Sequence, residues 1–234
     1  MGDVRPGQNA ACPDRGGAPT SSGMLRTGPD LRPAAALPPR RTRLLIRHGE
    51  STFNAAYHAT GVDPLHVDAR LTETGLAQVA AAREQVRAVA VDLVVTSPLT
   101  RALQTALGLF ADHPSRPTIL VEALHREHGN ASCDVGRAPS LLAAEYPELT
   151  FSHLAETWWE DDTHCPEPDA RGIRAEPIEA CQARVERFRA WLAGRPEPTI
   201  AVVGHGTFFS HLLGGRWLAN CEVVTLDGHA ADLA

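Results

Sequence analysis

The chain has 234 residues, a formal net charge of −6 and a hydrophobic fraction of 43%, which suits one sizeable domain with an ordinary core. Its pI near 6.0 argues against a nucleic-acid surface, and without a signal-like N-terminus or an apolar run of the roughly 20 residues that a membrane span needs, the expected compartment is the cytoplasm. All 22 basic residues are arginine, which excludes a Schiff-base lysine and a P-loop lysine, whereas the planar guanidinium suits phosphate oxygens.

Residues 1–40 hold seven prolines and six glycines and show no apolar periodicity. A segment of this composition cannot bury much apolar surface, so we predict a disordered extension. Met24 offers a second possible translation start within it. The folded domain is therefore expected over residues 41–234.

The first predicted strand, residues 43–46, ends on the sequence Arg-His-Gly-Glu at residues 47–50. Ligands of open α/β sheets dock at the carboxyl ends of the strands. Arg47 and His48 are therefore candidate site residues. The chain then continues as a predicted loop through Asp63.

Thr72 is the predicted N-cap of a helix that runs to about Val89. The spacing of the apolar residues places one face of this helix on the core. The predicted face consists of Leu76, Val79, Ala80 and Val86.

A short apolar run predicts the next strand at residues 92–96. Ser97 as N-cap and Pro98 as the first helical residue then predict a helix that ends near Phe110. This helix carries Arg101 in its first turn. A further strand is expected at residues 118–121.

The insert at residues 122–176 shows little periodicity and contains Trp158 and Trp159. We expect it to arch over the site, with at least one of the two tryptophans buried, since tryptophan is usually largely buried. The insert therefore defines the region in which the substrate pocket is expected.

The last part of the chain predicts a helix, a strand, a second helix and a terminal strand. The apolar face of the first helix consists of Ile178, Cys181, Val185, Phe188 and Leu192. The strand at residues 200–203 runs into Gly204-His205-Gly206, and the remaining elements are expected at residues 207–213 and 222–226. The alternation of strands and helices predicts a mainly parallel sheet that helices cover on both faces.

Four motifs in this order resemble those of the histidine phosphatase superfamily, also called phosphoglycerate mutase-like. They comprise residues 47–51 followed by Asn54, residues 71–78, residues 97–101 followed by 104–106, and residues 203–206. The resemblance implies an α/β fold, a three-layer α/β/α sandwich with a mainly parallel central sheet, over most of the chain from about Arg41.

The resemblance also implies roles for individual side chains. His48 would become a phosphohistidine, and Arg47, Arg101 and His205 would form the phosphate pocket. Chemically, a neutral imidazole can act as nucleophile and the two guanidinium groups can neutralise the phosphoryl charge. Asn54 is either a further phosphate donor or an ordinary residue of a helix start.

The general acid is expected in the sequence Leu-His-Arg-Glu at residues 124–127, which is similar to the family pattern with one residue inserted. Glu127 is the predicted acid, and Glu122 and Asp134 compete with it. The sequence Cys-Asp-Val-Gly at residues 133–136 resembles the version found in phosphoglycerate mutase-like proteins of fungi and plants, which are mostly grouped as phosphatases.

Five cysteines at wide and irregular spacing argue against a disulfide framework and against structural zinc. A metal cluster of His153, residues 161–162 and residues 164–165 is a weaker alternative to a solvated flap. We therefore expect no metal and no cofactor. The expected partner is a small phosphorylated metabolite, and the sequence leaves the oligomeric state open.

The sequence thus predicts a metal-independent phosphomonoester hydrolase that is similar to histidine acid phosphatases. A phosphoglycerate mutase is one alternative, although the segment at residues 55–63 lacks the tryptophan-rich loop of the mutases. A catalytically silent phosphate-binding module is an alternative from another class, and the presence of His48, Arg101 and His205 argues against it.

Overall fold

The computed structural model describes residues 41–160 and 166–228. Five strands in these ranges form one sheet: β1 (Arg41–Arg47), β2 (Leu93–Thr96), β3 (Thr118–Val121), β4 (Thr199–Gly204) and β5 (Val223–Gly228). Their spatial order is β3-β2-β4-β1-β5, with β5 antiparallel to β1 and all other pairs parallel. The predicted extension at residues 1–40 lies outside the described residues and stays a prediction.

Six helices surround this sheet in the described part of the chain: α1 (Thr52–Thr60), α2 (Glu73–Arg87), α3 (Thr100–Phe110), α4 (Pro139–Glu145), α5 (Ile178–Ala193) and α6 (Gly206–Leu212). Helices α2 and α3 pack on one face of the sheet, and α5 and α6 pack on the other. The predicted three-layer α/β/α sandwich with a mainly parallel sheet is confirmed. The strands β2 and β4 are almost wholly buried, which explains their continuous apolar sequences.

The insert at residues 122–176 is more structured than its weak periodicity predicts. It contains α4 and two 3₁₀ turns, Ala123–His125 and Ser132–Asp134. Phe151 and Trp158 belong to an apolar cluster that also includes residues of α3. The prediction that at least one tryptophan is buried is confirmed, since Trp158 is only 5% exposed.

Two predicted helix features are wrong. Helix α3 begins at Thr100 and not at Pro98, because Asp68 accepts hydrogen bonds from the Thr100 backbone N–H, at 2.8 Å, and from its hydroxyl. On α2, the predicted core residues Leu76 and Ala80 are exposed. The buried face of α2 instead consists of Gly75, Val79, Ala82 and Val86.

Close packing at Gly75 explains the orientation of α2. A Cβ atom on Gly75 would lie 2.1 Å from the carbonyl oxygen of Glu50. This contact turns the face of the helix that carries Gly75 toward the core and leaves the neighbouring face in solvent.

Helices α1 and α4 were not predicted, because each buries a single apolar side chain, Phe53 and Leu142 respectively. All other predicted boundaries agree to within about two residues.

Candidate active site

The register of two parallel strands brings the two strand-end histidines together. Arg47, the last residue of β1, pairs with Gly204, the last residue of β4. His48 and His205 therefore leave the sheet at adjacent positions, and their ring centroids are 5.2 Å apart. The backbone N–H of His48 donates to the carbonyl of Gly204 at 2.9 Å, which fixes the turn.

The hydrogen bonds of His48 define its tautomer. Nδ1 lies 2.7 Å from the carbonyl oxygen of Gly49, which can only accept, so Nδ1 carries the proton and Nε2 is left with a lone pair. Arg101 Nε donates to Nε2 at 3.2 Å. Burial, followed by the charges of Arg101 and Arg47, holds the pKa of His48 well below its usual range. The ring is therefore a neutral imidazole whose unprotonated nitrogen faces an arginine.

His205 is fully buried, and among the described residues neither ring nitrogen has a hydrogen-bond partner. Burial, followed by the charge of Arg101, holds the pKa of His205 well below its usual range. Buried polar atoms normally have partners. Two unpartnered nitrogens beside His48 are therefore the feature expected of a group that binds a polar ligand.

The guanidinium of Arg101 is held by a buried carboxylate. Arg101 Nη2 donates to Asp134 Oδ1 at 2.9 Å, and both side chains are at most 5% exposed. The other Asp134 oxygen accepts from the backbone N–H groups of Asn130 and Ala131. Burial raises the pKa of Asp134, and the charge of Arg101 opposes this rise. Asp134 thus fixes the position of Arg101 and offsets part of its charge.

Arg47 is held by a backbone carbonyl and an indole ring. Its Nη1 donates to the Leu218 carbonyl at 2.8 Å, and its guanidinium carbon lies 4.8 Å from the centroid of the Trp217 ring. A Cβ atom on Gly206 would lie 2.7 Å from Trp217 Cη2. The glycine after His205 therefore leaves room for the indole that covers Arg47.

Side chains of the second and third sequence motifs hold the turn that carries His48. The backbone N–H of Gly49 donates to Thr105 Oγ1 at 3.1 Å, and that of Glu50 donates to Gln78 Oε1 at 2.8 Å. Thr72 adds a hydrogen bond of 2.7 Å to the Glu50 carboxylate. The helical motifs thus contribute by fixing the backbone on either side of the turn.

The structure separates the three candidates for the general acid. Glu127 lines the cavity and accepts hydrogen bonds from the backbone N–H groups of Thr207 and Phe208, at 3.0 and 2.9 Å, in the first turn of α6. Asp134 also lines the cavity, paired with Arg101. Glu122 caps its own 3₁₀ turn and is not among the residues that line the cavity.

A buried arginine holds the loop that carries Glu127, and sequence reasoning did not find it. Arg184 on α5 is fully buried and donates to the carbonyl oxygens of Leu124, Arg126 and Glu127. Its Nη2 also forms an ion pair of 2.6 Å with Glu176. Arg184 lies three residues after Cys181 and four before Phe188, on the apolar face of α5. Because arginine is rarely fully buried, this spacing alone did not identify it as a buried residue.

Asn54 lies at the start of helix α1, as the sequence suggested, and its role as a phosphate donor stays a prediction. Its Oδ1 accepts from the backbone N–H of Ser51 at 3.2 Å, and Ser51 Oγ accepts from the backbone N–H of Asn54, which together form a capping box at the start of α1. Asn54 also lines the cavity beside His48. Its side-chain amide group is therefore placed to donate to a ligand.

These side chains surround a cavity of about 340 Å³. The lining residues that sequence reasoning missed include Tyr57, Asn130, Arg171 and Trp217. None of the four lies at the end of a strand, so the pattern that marked His48 and His205 does not apply to them. His205 is fully buried, with its ring centroid 5.2 Å from that of His48, and it is not among the lining residues.

In the described ranges, no group of three or more His, Cys, Asp or Glu side chains could hold a metal ion. Residues 161–165, which supply most of the alternative metal cluster, lie outside those ranges, and His153 Nε2 is bonded to the carbonyl of Val121 at 2.8 Å. Within the same ranges, no helix has both the length and the apolar character required to cross a bilayer.

The sequence was compared with known proteins. An Arabidopsis thaliana phosphoglycerate mutase-like protein is 30% identical, and the match covers 78% of this chain and 77% of the relative. The 2,3-bisphosphoglycerate-dependent phosphoglycerate mutase 2 of the same plant is 36% identical over 79% of this chain and 60% of its own length.

Solved structures share the fold. YhfR of Bacillus stearothermophilus superposes with a TM-score of 0.54 at 20% identity and covers 79% of this chain and 90% of its own. Mycobacterial glucosyl-3-phosphoglycerate phosphatase superposes with a TM-score of 0.51 at 21% identity, over 81% of this chain and 91% of its own. The family model for the histidine phosphatase superfamily, branch 1, matches residues 44–224. The chain therefore belongs to the histidine phosphatase superfamily.

Proposed function

We propose that the protein is a metal-independent phosphomonoester hydrolase that forms a phosphohistidine at His48. The observation that carries this proposal is the buried neutral imidazole of His48, whose Nδ1–H donates to the Gly49 carbonyl and leaves Nε2 unprotonated, 3.2 Å from Arg101 Nε. An unprotonated ring nitrogen is the form that can attack phosphorus. The expected substrate is a small phosphorylated metabolite.

The phosphoryl group would lie where the free donors of the site converge. Arg47 and Arg101 would neutralise its equatorial oxygens, and Arg101 Nε, which faces His48 Nε2 at 3.2 Å, would turn its N–H to one of them. The unpartnered ring of His205 would donate one further hydrogen bond. The amide group of Asn54 would supply another.

The reaction would proceed in two displacements. In the first, the His48 Nε2 lone pair forms a bond to phosphorus, the ester P–O bond breaks, and the leaving oxygen takes a proton from Glu127. In the second, a water molecule gives its proton to Glu127 and attacks phosphorus. The P–N bond then breaks, which releases phosphate and restores the neutral imidazole.

Phosphoglycerate mutase is the second candidate, because some relatives are named mutases. The charge of the cavity favours hydrolysis. Among its lining residues, three arginines face three carboxylates, and one of those arginines, Arg171, is paired with Asp63 at 2.8 Å. A mutase needs cations for a second acidic group of the substrate. In the described part of the cavity, Arg101 and Arg171 are paired with carboxylates and Arg47 would bind the phosphoryl group, so no lining arginine remains for a second acidic group.

The test is phosphate release from p-nitrophenyl phosphate and from 3-phosphoglycerate, with and without 2,3-bisphosphoglycerate. We expect hydrolysis of the aryl ester, a base-stable phosphoenzyme in the wild type, and neither in His48→Asn. The exposed histidine variant His66→Asn is the matched control and should behave as the wild type.

Other outcomes would identify the alternatives. Rapid interconversion of 3- and 2-phosphoglycerate would establish the mutase in place of the hydrolase. Phosphate binding without any turnover would establish the silent binding module. Turnover in a folded His48→Asn variant would exclude the phosphohistidine mechanism.

A further inference from the structure

The outer part of the active-site cavity has an aromatic wall that the phosphoryl chemistry does not use. Once Arg47, His48 and Arg101 fix the phosphoryl group, the leaving group must occupy the remaining cavity. The phosphoryl end is buried, with His48 only 3% exposed, whereas Tyr57 is 45% and Trp217 55% exposed. These two aromatic side chains therefore form the mouth of the cavity, next to the leaving group.

Trp217 is held rigidly although more than half of it is exposed. Its ring tip packs against Gly206, where a Cβ atom would lie 2.7 Å away, and its face covers Arg47 at 4.8 Å. Trp217 lines the cavity together with other aromatic side chains, and a fixed aromatic ring at such a position is suited to contact a ligand. The exposed part of the indole can therefore receive a flat group with little loss of conformational entropy.

Tyr57 is held in a similar way on a different element. Its ring stacks on Phe53 in α1 with centroids 5.5 Å apart and an angle of 10° between the planes. Tyr57, Phe53 and Trp217 all line the same cavity. The mouth thus has aromatic side chains contributed both by α1 and by the loop between α6 and β5.

The charges of the outer cavity do not suit a charged leaving group. Arg171 is the arginine at the mouth, and it forms ion pairs of 2.8 Å with Asp63 and 2.7 Å with Asp169. Deeper in the cavity, Arg101 is paired with Asp134 at 2.9 Å. Among the lining arginines of the described residues, Arg47 is left without a carboxylate partner, and the phosphoryl group would use its charge.

We infer that the substrate is a phosphomonoester with a planar, uncharged leaving group that stacks on Trp217, with Tyr57 forming a second aromatic wall. This inference rests on the proposed phosphatase function and names the class of its substrate. The stack contributes to binding of the leaving group and does not alter the phosphoryl chemistry. Selectivity should therefore depend on Trp217 and Tyr57 and not on His48.

The experiment compares benzyl phosphate with cyclohexylmethyl phosphate. Both are esters of primary alcohols of nearly equal size, so they need a proton on the leaving oxygen to a similar degree and differ mainly in planarity. We expect kcat/KM to be about 2- to 10-fold higher for the benzyl ester, which corresponds to the usual contribution of one aromatic contact. In Trp217→Leu and Tyr57→Leu, this ratio should fall toward one.

The control is Leu141→Ala, an exposed apolar residue of α4 outside the cavity, in which the ratio should stay at the wild-type value. Equal kcat/KM for both esters, a ratio unchanged in Trp217→Leu and Tyr57→Leu, or a preference for 3-phosphoglycerate would overturn the inference.

A binding measurement separates this inference from the proposed function. Calorimetry with benzylphosphonate and cyclohexylmethylphosphonate needs no turnover. The wild type should bind benzylphosphonate more tightly than cyclohexylmethylphosphonate, and Trp217→Leu should bind the two with similar affinity. If this preference is present while no ester is hydrolysed, the proposed function is wrong and the inference about the pocket stands. If hydrolysis occurs without the preference, the phosphatase assignment stands and the inference is wrong.

Discussion

Arg47, His48 and His205 leave adjacent parallel strands at paired positions, whereas Glu127 and Asp134 lie on a loop that no strand holds. The first group is fixed by the ladder between β1 and β4. The second is fixed by single side chains, chiefly Arg184, whose guanidinium binds three carbonyl oxygens of the loop. The position of the strand-end half therefore depends on strand pairing, while that of the loop half depends on two buried ion pairs, Arg184 with Glu176 and Arg101 with Asp134.

The two halves also differ in how they affect the stability of the folded state. The strand-end half holds His48 and His205 as buried neutral imidazoles. A third buried imidazole, His125, lies two residues before Glu127 in the loop half, and its Nε2 donates to the Val203 carbonyl at 3.0 Å. Burial lowers the pKa of His125 to about 3. The pH dependence of stability should therefore come from these three histidines, two of them in the strand-end half, whereas single substitutions should destabilise the loop half most.

The largest expected effect is the loss of stability in mild acid. Below about pH 6.5 the unfolded chain protonates His48, His125 and His205 but the folded chain does not, so the unfolded state binds more protons and stability falls as the pH falls. Each histidine contributes up to about 2 kcal/mol between pH 7 and pH 5. Urea unfolding at a series of pH values measures this slope.

A histidine variant and the pH range of the effect distinguish the histidines from the carboxylates as its source. His125→Gln keeps a donor for the Val203 carbonyl and should remove about a third of the slope. Carboxylates with lowered pKa, such as Glu145 at about 2 and Glu176, contribute stability that is lost only at lower pH. A flat unfolding free energy from pH 7 to pH 5 would show that the histidines are not buried as neutral rings.

The second prediction concerns a substitution that removes a support of the loop half. Arg184→Met removes the closer of the two arginines paired with the buried Glu176, at 2.6 Å against 3.7 Å for Arg126, and leaves three backbone carbonyls without this donor, so we expect a loss of about 3–5 kcal/mol in the free energy of unfolding. Denaturant unfolding measures it. His48→Ala is the comparison from the strand-end half, and a loss of similar size there would mean that both halves are equally fragile.

The third prediction concerns the chemistry of the loop half. Glu127→Gln should slow alkyl phosphates by about 100- to 10,000-fold and p-nitrophenyl phosphate much less, because the nitrophenolate leaves without a proton. Steady-state kinetics on both esters measure the difference. Glu122→Gln is the control, since Glu122 does not line the cavity. Equal losses on both esters would indicate that Glu127 is not the acid, and Asp134, the carboxylate paired with Arg101, would be tested next.

Sequence reasoning found the strand-end half and most of the fold for a common physical reason. A buried parallel strand is a continuous apolar run, so a charged residue and a histidine at its end are conspicuous, as at residues 47–48 and at His205. The same reasoning missed Arg184, because arginine is rarely fully buried and its position on the apolar face of α5 alone did not identify it. It also missed Trp217, whose role depends on its packing against Gly206.

The start of α3 shows another limit of sequence reasoning. Ser97 and Pro98 carry the local signal for a helix start, but the cap comes from Asp68, 32 residues earlier in the chain. Asp68 also forms an ion pair with Arg137 at 2.6 Å. Local propensity cannot predict a cap that folding brings from a distance.

The smallest expected effect tests how firmly the strand-end half is held. Thr72 caps α2 by accepting from the backbone N–H of Gly75 at 3.0 Å, and it donates to the Glu50 carboxylate at 2.7 Å. Thr72→Ala should therefore cost about 1 kcal/mol of stability, the usual loss for an N-cap, whereas Thr72→Ser should cost much less. Thermal and denaturant unfolding measure both.

Activity should change little in Thr72→Ala, because the turn after His48 keeps two independent supports. The N–H of Gly49 still donates to Thr105, and the N–H of Glu50 still donates to Gln78. A large loss of kcat in a variant that remains folded would show that the cap of α2 holds the nucleophile directly. The position of the strand-end half would then depend on a single side chain, as that of the Glu127 loop depends on Arg184.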